Sequence, residues 1–144
     1  MKKVLILVVL AALLLSACQG GNINSASVKN VPSALYTEAE ISDAVSVVLS
    51  EFVHSWKGCT LREIGYAGDE KTAAETEYYL QKNYADFSKS WGKFDQLIVL
   101  TSTFDVDESG ADGSLASNST QTNYNWILVR SSGGKWRHVD HGYG

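Results

Sequence analysis

Two side chains near the end of the chain have the types and the spacing that proton-transfer chemistry requires. His138 and Asp140 lie two residues apart in the segment KWRHVDH, residues 135–141. Alternate residues of a β-strand point to the same face, so a carboxylate at this spacing can orient an imidazole, which is half of a general-base arrangement. No serine or cysteine nucleophile lies beside the pair at a spacing that the sequence reveals. The alternative is structural, with His138 hydrogen-bonded at a sheet edge and Asp140 bound to Arg137 or to the backbone.

The turn before this strand decides which of its side chains share a face. Gly133 and Gly134 are typical of a two-residue hairpin turn. Such a turn brings three pairs opposite each other: Arg130 with Arg137, Val129 with His138, and Ile127 with Asp140. The candidates for ligand binding then lie on one face: Trp136, His138 and Asp140. The opposite face carries the intervening residues: Arg137, Val139 and His141.

Aromatic side chains are concentrated in the same hairpin: Tyr124, Trp126, Trp136 and Tyr143. With arginines beside them, these rings could stack on a sugar or another flat ligand. Large aromatic residues in antiparallel strands alternatively form the hydrophobic core. Both interpretations are open from the sequence.

A second candidate site is the acidic loop FDVDESGADGS, which begins at Phe104. Its oxygen-bearing side chains recur at the spacing of a calcium loop and surround a glycine: Asp105, Asp107, Ser109 and Asp112 around Gly110. Alternate side chains converge on one ion, and the glycine permits the sharp turn. Ala116 stands where an EF-hand loop has its bidentate glutamate, so calcium would bind weakly, and we expect no other cofactor. The alternative is a solvated loop in which Asp, Ser and Gly simply favour turns.

The N-terminus has the features of an export signal. Lys2 and Lys3 precede an apolar run of 12 residues, Val4–Leu15. As a helix this run would extend about 18 Å, against roughly 30 Å of bilayer hydrocarbon, so it predicts a cleaved signal peptide and not a membrane span. Without the two lysines, ten basic side chains face 16 acidic ones, a net charge of −6. An acidic domain of this kind is not expected to bind nucleic acid.

The four residues that end this leader, Leu15-Ser16-Ala17-Cys18, resemble the lipobox of bacterial lipoproteins. The resemblance implies a signal peptide over residues 1–17, diacylation of Cys18, and anchoring to the extracytoplasmic face of a bacterial membrane. Two acyl chains give stable anchoring, since each buried methylene contributes about 0.8 kcal/mol. An ordinary secretory signal, with Cys18 incidental, is the alternative. Cys59 is then the one remaining thiol, expected to be a small buried residue.

The rest of the chain predicts a tether and one domain. Residues 18–35 are small and polar and predict a flexible tether, and residues 36–144 form the domain. Thr37 and Glu40 make a capping box before an apolar stripe with helical spacing. The stripe comprises Ile41, Ala44, Val45, Val48, Leu49, Phe52, Val53 and Trp56.

The later elements complete an α+β pattern. Residues 59–67 predict a strand with a bulge at Gly65, and residues 72–91 predict a second helix, or two shorter ones, that begins with a capping box of Thr72 and Glu75. Three further strands follow, over residues 96–104, 123–131 and 135–141. We therefore expect an α+β fold in which two amphipathic helices pack on one face of a curved, mostly antiparallel, four-stranded sheet.

That order of elements, with WILVR at residues 126–130 and GKWRHVDHGYG at residues 134–144, resembles a family of small Gram-positive lipoproteins. The resemblance covers most of the domain and implies a cystatin-like or nuclear-transport-factor-like cone. Because such cones carry enzymes and binding modules alike, the fold does not fix the function. We expect a non-enzymatic module that binds a small ligand or an envelope protein; the alternative is a small hydrolase or isomerase that uses His138 and Asp140.

Overall fold

The computed structural model describes residues 20–144, which form one α+β unit around a five-stranded sheet. The predicted signal peptide and Cys18 lie outside the described residues. The strands are β1 (Ser27–Val28), β2 (Cys59–Tyr66), β3 (Gln96–Val106), β4 (Ser119–Arg130) and β5 (Arg137–Tyr143), and they are neighbours in that order. Strands β2 to β5 are antiparallel, whereas β1 pairs in parallel with β2. No helix among residues 20–144 has the length and apolar character needed to span a membrane.

The first helix, α1 (Glu38–Ser55), forms as its sequence predicts. The Thr37 hydroxyl accepts a hydrogen bond from the Glu40 amide at 3.2 Å, and the Glu40 carboxylate accepts one from the Thr37 amide at 2.8 Å. This capping box satisfies two amides that have no partner within the helix. The buried residues of α1 belong to the predicted apolar stripe: Ile41, Ala44, Val45, Val48 and Phe52.

The second helical segment consists of three pieces, α2 (Asp69–Thr76), a π-helix (Glu77–Lys82) and α3 (Tyr84–Trp91). We expect one helix or two shorter ones over residues 72–91, and the structure differs from both because the segment has three pieces. The predicted capping box is wrong, because α2 begins at Asp69 and Thr72 lies inside it. The Thr72 side chain is 1 % exposed, and its hydroxyl accepts a hydrogen bond from the Val99 amide of β3 at 3.3 Å. Packing against the sheet therefore outweighs the local capping signal.

Helices cover both faces of the sheet, which corrects the expectation that they lie on one. One hydrophobic cluster joins α1 to alternate sheet residues such as Ile98, Leu100 and Trp126. A second cluster joins the π-helix and α3 to the intervening strand residues, such as Val99 and Ile127, which face the opposite side of the sheet. Successive strand residues point to opposite faces, so the apolar run of β3 is buried on both sides.

The fifth strand comes from the segment predicted to be a flexible tether. Residues 22–30 follow the edge of β2, where the Leu61 amide donates to the Asn22 carbonyl at 2.8 Å and the Lys29 amide donates to the Ile64 carbonyl at 2.9 Å. The close approach requires Gly65, since a Cβ there would lie 1.8 Å from the carbonyl oxygen of Lys29. The predicted bulge at Gly65 is wrong, because the bulge of β2 falls at Arg62. Gly65 instead lets the N-terminal segment approach the β2 backbone closely.

Candidate functional site

The hairpin between β4 and β5 has a longer loop than its glycines predict. Residues 131–136 connect the strands, and Val129 pairs with Arg137, Leu128 with His138 and Ile127 with Asp140. Of the three predicted pairs, Ile127 with Asp140 is confirmed, and the other two, Arg130 with Arg137 and Val129 with His138, are wrong. The register differs because Trp136 leaves the strand to enter the core.

Trp136 therefore does not belong to β5, and its side chain is buried and, contrary to the prediction, not available to a ligand. Its ring is 5 % exposed, and its indole nitrogen donates a hydrogen bond to the Glu40 carbonyl at 3.0 Å. The guanidinium of Arg130 lies over the ring, with its central carbon 4.1 Å from the ring centroid. The Arg130 side chain also forms an ion pair with Glu40 and donates to the Gln96 side chain at 2.6 Å. These contacts attach the hairpin to the start of α1.

A bulge at Val139 separates the proposed general-base pair. His138 pairs with Leu128, which faces α1, whereas Asp140 pairs with Ile127, which faces the π-helix and α3. The Asp140 carboxylate accepts hydrogen bonds from the Tyr79 hydroxyl at 3.4 Å and from the His141 amide at 2.9 Å. The predicted shared face is therefore wrong for Asp140, whereas Trp136 and His138 both lie on the α1 side of the sheet.

The same bulge brings His138 and His141 together on the face of α1. His138 Nε2 and His141 Nδ1 are 3.2 Å apart, and the ring planes differ by 22°. Both imidazoles contact the ring of Trp126, and His141 also meets the ring of Trp56 at an edge-to-face angle of 72°. Burial lowers the pKa of His138 and the neighbouring His141 lowers it further, while the Glu51 carboxylate opposes both.

Two open grooves meet at this pair, between α1 and β5. One, of about 540 Å³, is lined by Ser46, Val47, Ser50, Glu51, His54 and His138. The other, of about 470 Å³, includes Glu51, Trp56, Tyr124 and His141 in its lining. We call this joint opening the histidine groove and define it by four polar lining residues: Glu51, His54, His138 and His141. They include all three histidines of the chain.

Three of the four candidate calcium ligands, Asp105, Asp107 and Ser109, already bond to protein partners. Asp105 lies in β3, where one carboxylate oxygen bonds to Arg62 at 2.5 and 2.6 Å and the other accepts from the Thr120 hydroxyl at 2.8 Å. The Thr120 and Arg62 bonds lower the pKa of Asp105. Asp107 accepts instead from the amide and hydroxyl of Ser109, at 2.8 and 2.5 Å, which lowers its pKa in the same way.

Asp112 lies in α4 (Gly110–Gly113), a single turn in which its backbone is left-handed, with φ of 57°. Asp105 and Asp107 thus have other partners, and Asp112 lies in a separate turn. Within residues 20–144, histidine, cysteine, aspartate and glutamate side chains form no group of three or more arranged to hold a metal ion. Calcium binding by this loop stays a prediction.

The aromatic residues of the hairpin mainly build the core. Tyr124, Trp126 and Trp136 are at most 6 % exposed, whereas Tyr143 is 64 % exposed. Cys59 is also buried, as predicted, and burial raises the pKa of its thiol to about 11, with a smaller contribution from Asp107. A thiol with so high a pKa is not a nucleophile at neutral pH.

Sequence reasoning missed the contribution of α1 to the site. Glu51 and His54 are three residues apart and therefore lie on one side of the helix. That spacing was the available signal, but the apolar stripe gave no indication that this side of α1 meets β5. Comparisons of the chain with protein-family models, with curated proteins and with solved structures find no match.

Proposed function

We propose that the protein is a lipid-anchored, extracytoplasmic binding module that takes its ligand at the histidine groove. The anchor part of the proposal is supported by the short apolar leader and by the lipobox-like sequence that ends at Cys18. The binding part is supported by the geometry of residues 20–144. Both parts are testable separately.

One observation carries the choice of binding over catalysis. His138 lines a groove on the α1 side of the sheet, whereas Asp140 lines a different groove beside Tyr78 and Tyr79. An enzyme that used this pair would need both side chains at one substrate. The space between the sheet and α1 is instead filled by large side chains such as Trp126 and Phe104, which are 0 % exposed.

We also propose that the domain is a variant of the cystatin-like or nuclear-transport-factor-like cone. A long helix packed across antiparallel strands supports this assignment. The π-helix and α3 depart from the expected pattern, because they cover the second face of the sheet. The cone would consequently have no open concave face, which favours a ligand site at the edge of the sheet, where the histidine groove lies.

Anchoring is tested with a matched pair of cysteine substitutions. We expect the native protein to sediment with membranes and to carry the mass of acyl chains on Cys18. Cys18→Ser should remove both the acyl mass and the membrane association, whereas Cys59→Ser should retain both. A membrane-associated Cys18→Ser protein without acyl mass would contradict the proposal.

Ligand binding is tested by photo-cross-linking from the groove. Ser50 lines the groove and is exposed, while Ser90 is exposed on α3 at the other face of the sheet. A photoreactive amino acid at position 50 should yield an adduct of defined mass in cell envelopes, and the same amino acid at position 90 should not. Equal adducts from both positions would indicate random collisions and would remove the support for the groove.

A further inference from the structure

The two imidazoles of the histidine groove are in hydrogen-bond contact with each other. Their nitrogens, His138 Nε2 and His141 Nδ1, lie 3.2 Å apart. At metal–nitrogen bond lengths of roughly 2.0–2.1 Å, two nitrogens at that separation subtend an angle of about 100° at the metal, close to tetrahedral. Because the pair is hydrogen-bonded, both rings would have to turn for their lone pairs to point at one ion.

Three features of the fold support this arrangement: the bulge in β5, the tryptophans packed against the rings, and the access from solvent. The bulge at Val139 brings both rings to the same face, although they are three residues apart in a strand. Trp126 packs against both imidazoles, with centroid distances of 5.3 and 5.5 Å, and Trp56 packs against His141 at 5.1 Å. His141 is exposed and His138 is half-buried, so an ion can enter from solvent. Supporting contacts around the ligands and an entry path are among the features that a metal site requires.

Glu51 is the residue placed to complete the coordination. It lines both grooves, one with His138 and the other with His141. Since the described residues form no group of three metal ligands as they stand, its carboxylate would have to rotate toward the two nitrogens. His54 is less suitable, because it lines only the groove that contains His138, whereas Glu51 lines both.

We propose that His138 and His141, completed by Glu51, bind a borderline divalent transition-metal ion such as Zn²⁺ or Cu²⁺. Imidazole and carboxylate suit these ions, while calcium and magnesium prefer oxygen ligands alone. The inference deepens the proposed function, since it names the ligand class of the same groove. It does not depend on the anchor, because the residues that bind the ion all lie in the domain.

The test is a metal titration of the full-length chain in detergent, produced with a histidine-free affinity tag and stripped with a chelator. We expect one Zn²⁺ per chain in competition with a chromogenic indicator. His138→Ala and His141→Ala should each weaken binding at least about tenfold, the least that even the loss of an outer-shell partner of a metal site is expected to cost. Glu51→Gln should weaken it several-fold and His54→Ala less than about twofold.

Electron paramagnetic resonance of the Cu²⁺-loaded protein provides a second measurement. Coupling to two nitrogens should appear in the native chain and to one nitrogen in either ligand variant, with folding checked by near-ultraviolet circular dichroism. Unchanged affinity in both ligand variants, or an equal loss in His54→Ala, would overturn the assignment. A cross-link from position 50 without metal binding would refute this inference alone, whereas the absence of both would refute the proposed binding function as well.

Discussion

Arg130 lies over the ring of Trp136, with its guanidinium carbon 4.1 Å from the indole centroid, while the Trp136 indole nitrogen donates a hydrogen bond to the carbonyl of Glu40. Arg130 also forms an ion pair with the Glu40 side chain and reaches Gln96 of β3. One arginine therefore connects the first turn of α1 to two strands. Because its side chain is 9 % exposed, this ion pair is shielded from water much more than a surface pair.

Arg130→Lys should consequently destabilise the protein. An ammonium group cannot stack flat on the indole and bind two acceptors at once, so we expect a loss of about 1–3 kcal/mol in the free energy of unfolding. Urea denaturation followed by tryptophan fluorescence measures it. The matched control is Arg62→Lys, since Arg62 pairs with Asp105 at a site where its side chain is 54 % exposed. That change should cost less than about 1 kcal/mol, and equal losses would contradict the argument.

A buried hydrogen bond in the centre of the sheet supports a second prediction. The Trp126 indole nitrogen donates to the Ser102 hydroxyl at 2.8 Å, and both residues are at most 3 % exposed. Ser102→Ala would leave the indole N–H without an acceptor in the core, which costs about 1–3 kcal/mol. Thermal unfolding should show a clear decrease in Tm. Ser90→Ala, at an exposed position on α3, should change the stability by less than about 0.5 kcal/mol.

The elements that the sequence predicts well are those whose signals are local. The capping box of Thr37 and Glu40 and the stripe from Ile41 to Trp56 lie within one helix, and α1 follows them closely. The apolar run that became β3 is likewise read from consecutive residues. Each of these signals needs no information about distant parts of the chain.

What the sequence did not reveal depends on contacts between distant residues. The parallel pairing of Ser27 with Glu63 joins segments 36 residues apart, and no local pattern in residues 20–35 predicts that pairing. The face of His138 depends on one bulged residue, Val139, and on the burial of Trp136. A shift of one residue moves a side chain to the other face of a strand, so the predicted pair with Asp140 could not survive that bulge.

The N-terminal edge strand gives a third prediction. A methyl group at Gly65 would meet the Lys29 carbonyl oxygen, so Gly65→Ala forces the backbones apart and should cost roughly 1–3 kcal/mol. Amide hydrogen exchange should accelerate at Lys29, whose amide bonds to Ile64, and remain slow in α1. Uniform acceleration throughout the domain would show that β1 does not detach by itself.

The last prediction concerns acid. Asp69 accepts hydrogen bonds from the Ser33 hydroxyl at 2.6 Å, from the Ala34 amide at 2.8 Å and from the Tyr66 hydroxyl at 2.8 Å. These bonds, with that of Ser33 first, lower the pKa of Asp69 below its ordinary value. The stabilisation is therefore complete above the unfolded pKa of about 3.9 and is lost as the pH falls through the lower, folded value.

Asp69→Asn should for that reason be less stable than the native chain at pH 7, and the difference should shrink below pH 4. Urea unfolding at pH 7, 4 and 3 measures it. Asp86→Asn is the control, because Asp86 is exposed and its carboxylate forms only a local ion pair, with Lys89 one helical turn away at 3.2 Å. Its stability should follow that of the native chain at every pH. A difference for Asp69→Asn that stayed constant from pH 7 to pH 3 would mean that its carboxylate charge does not hold residues 33 and 34 against α2.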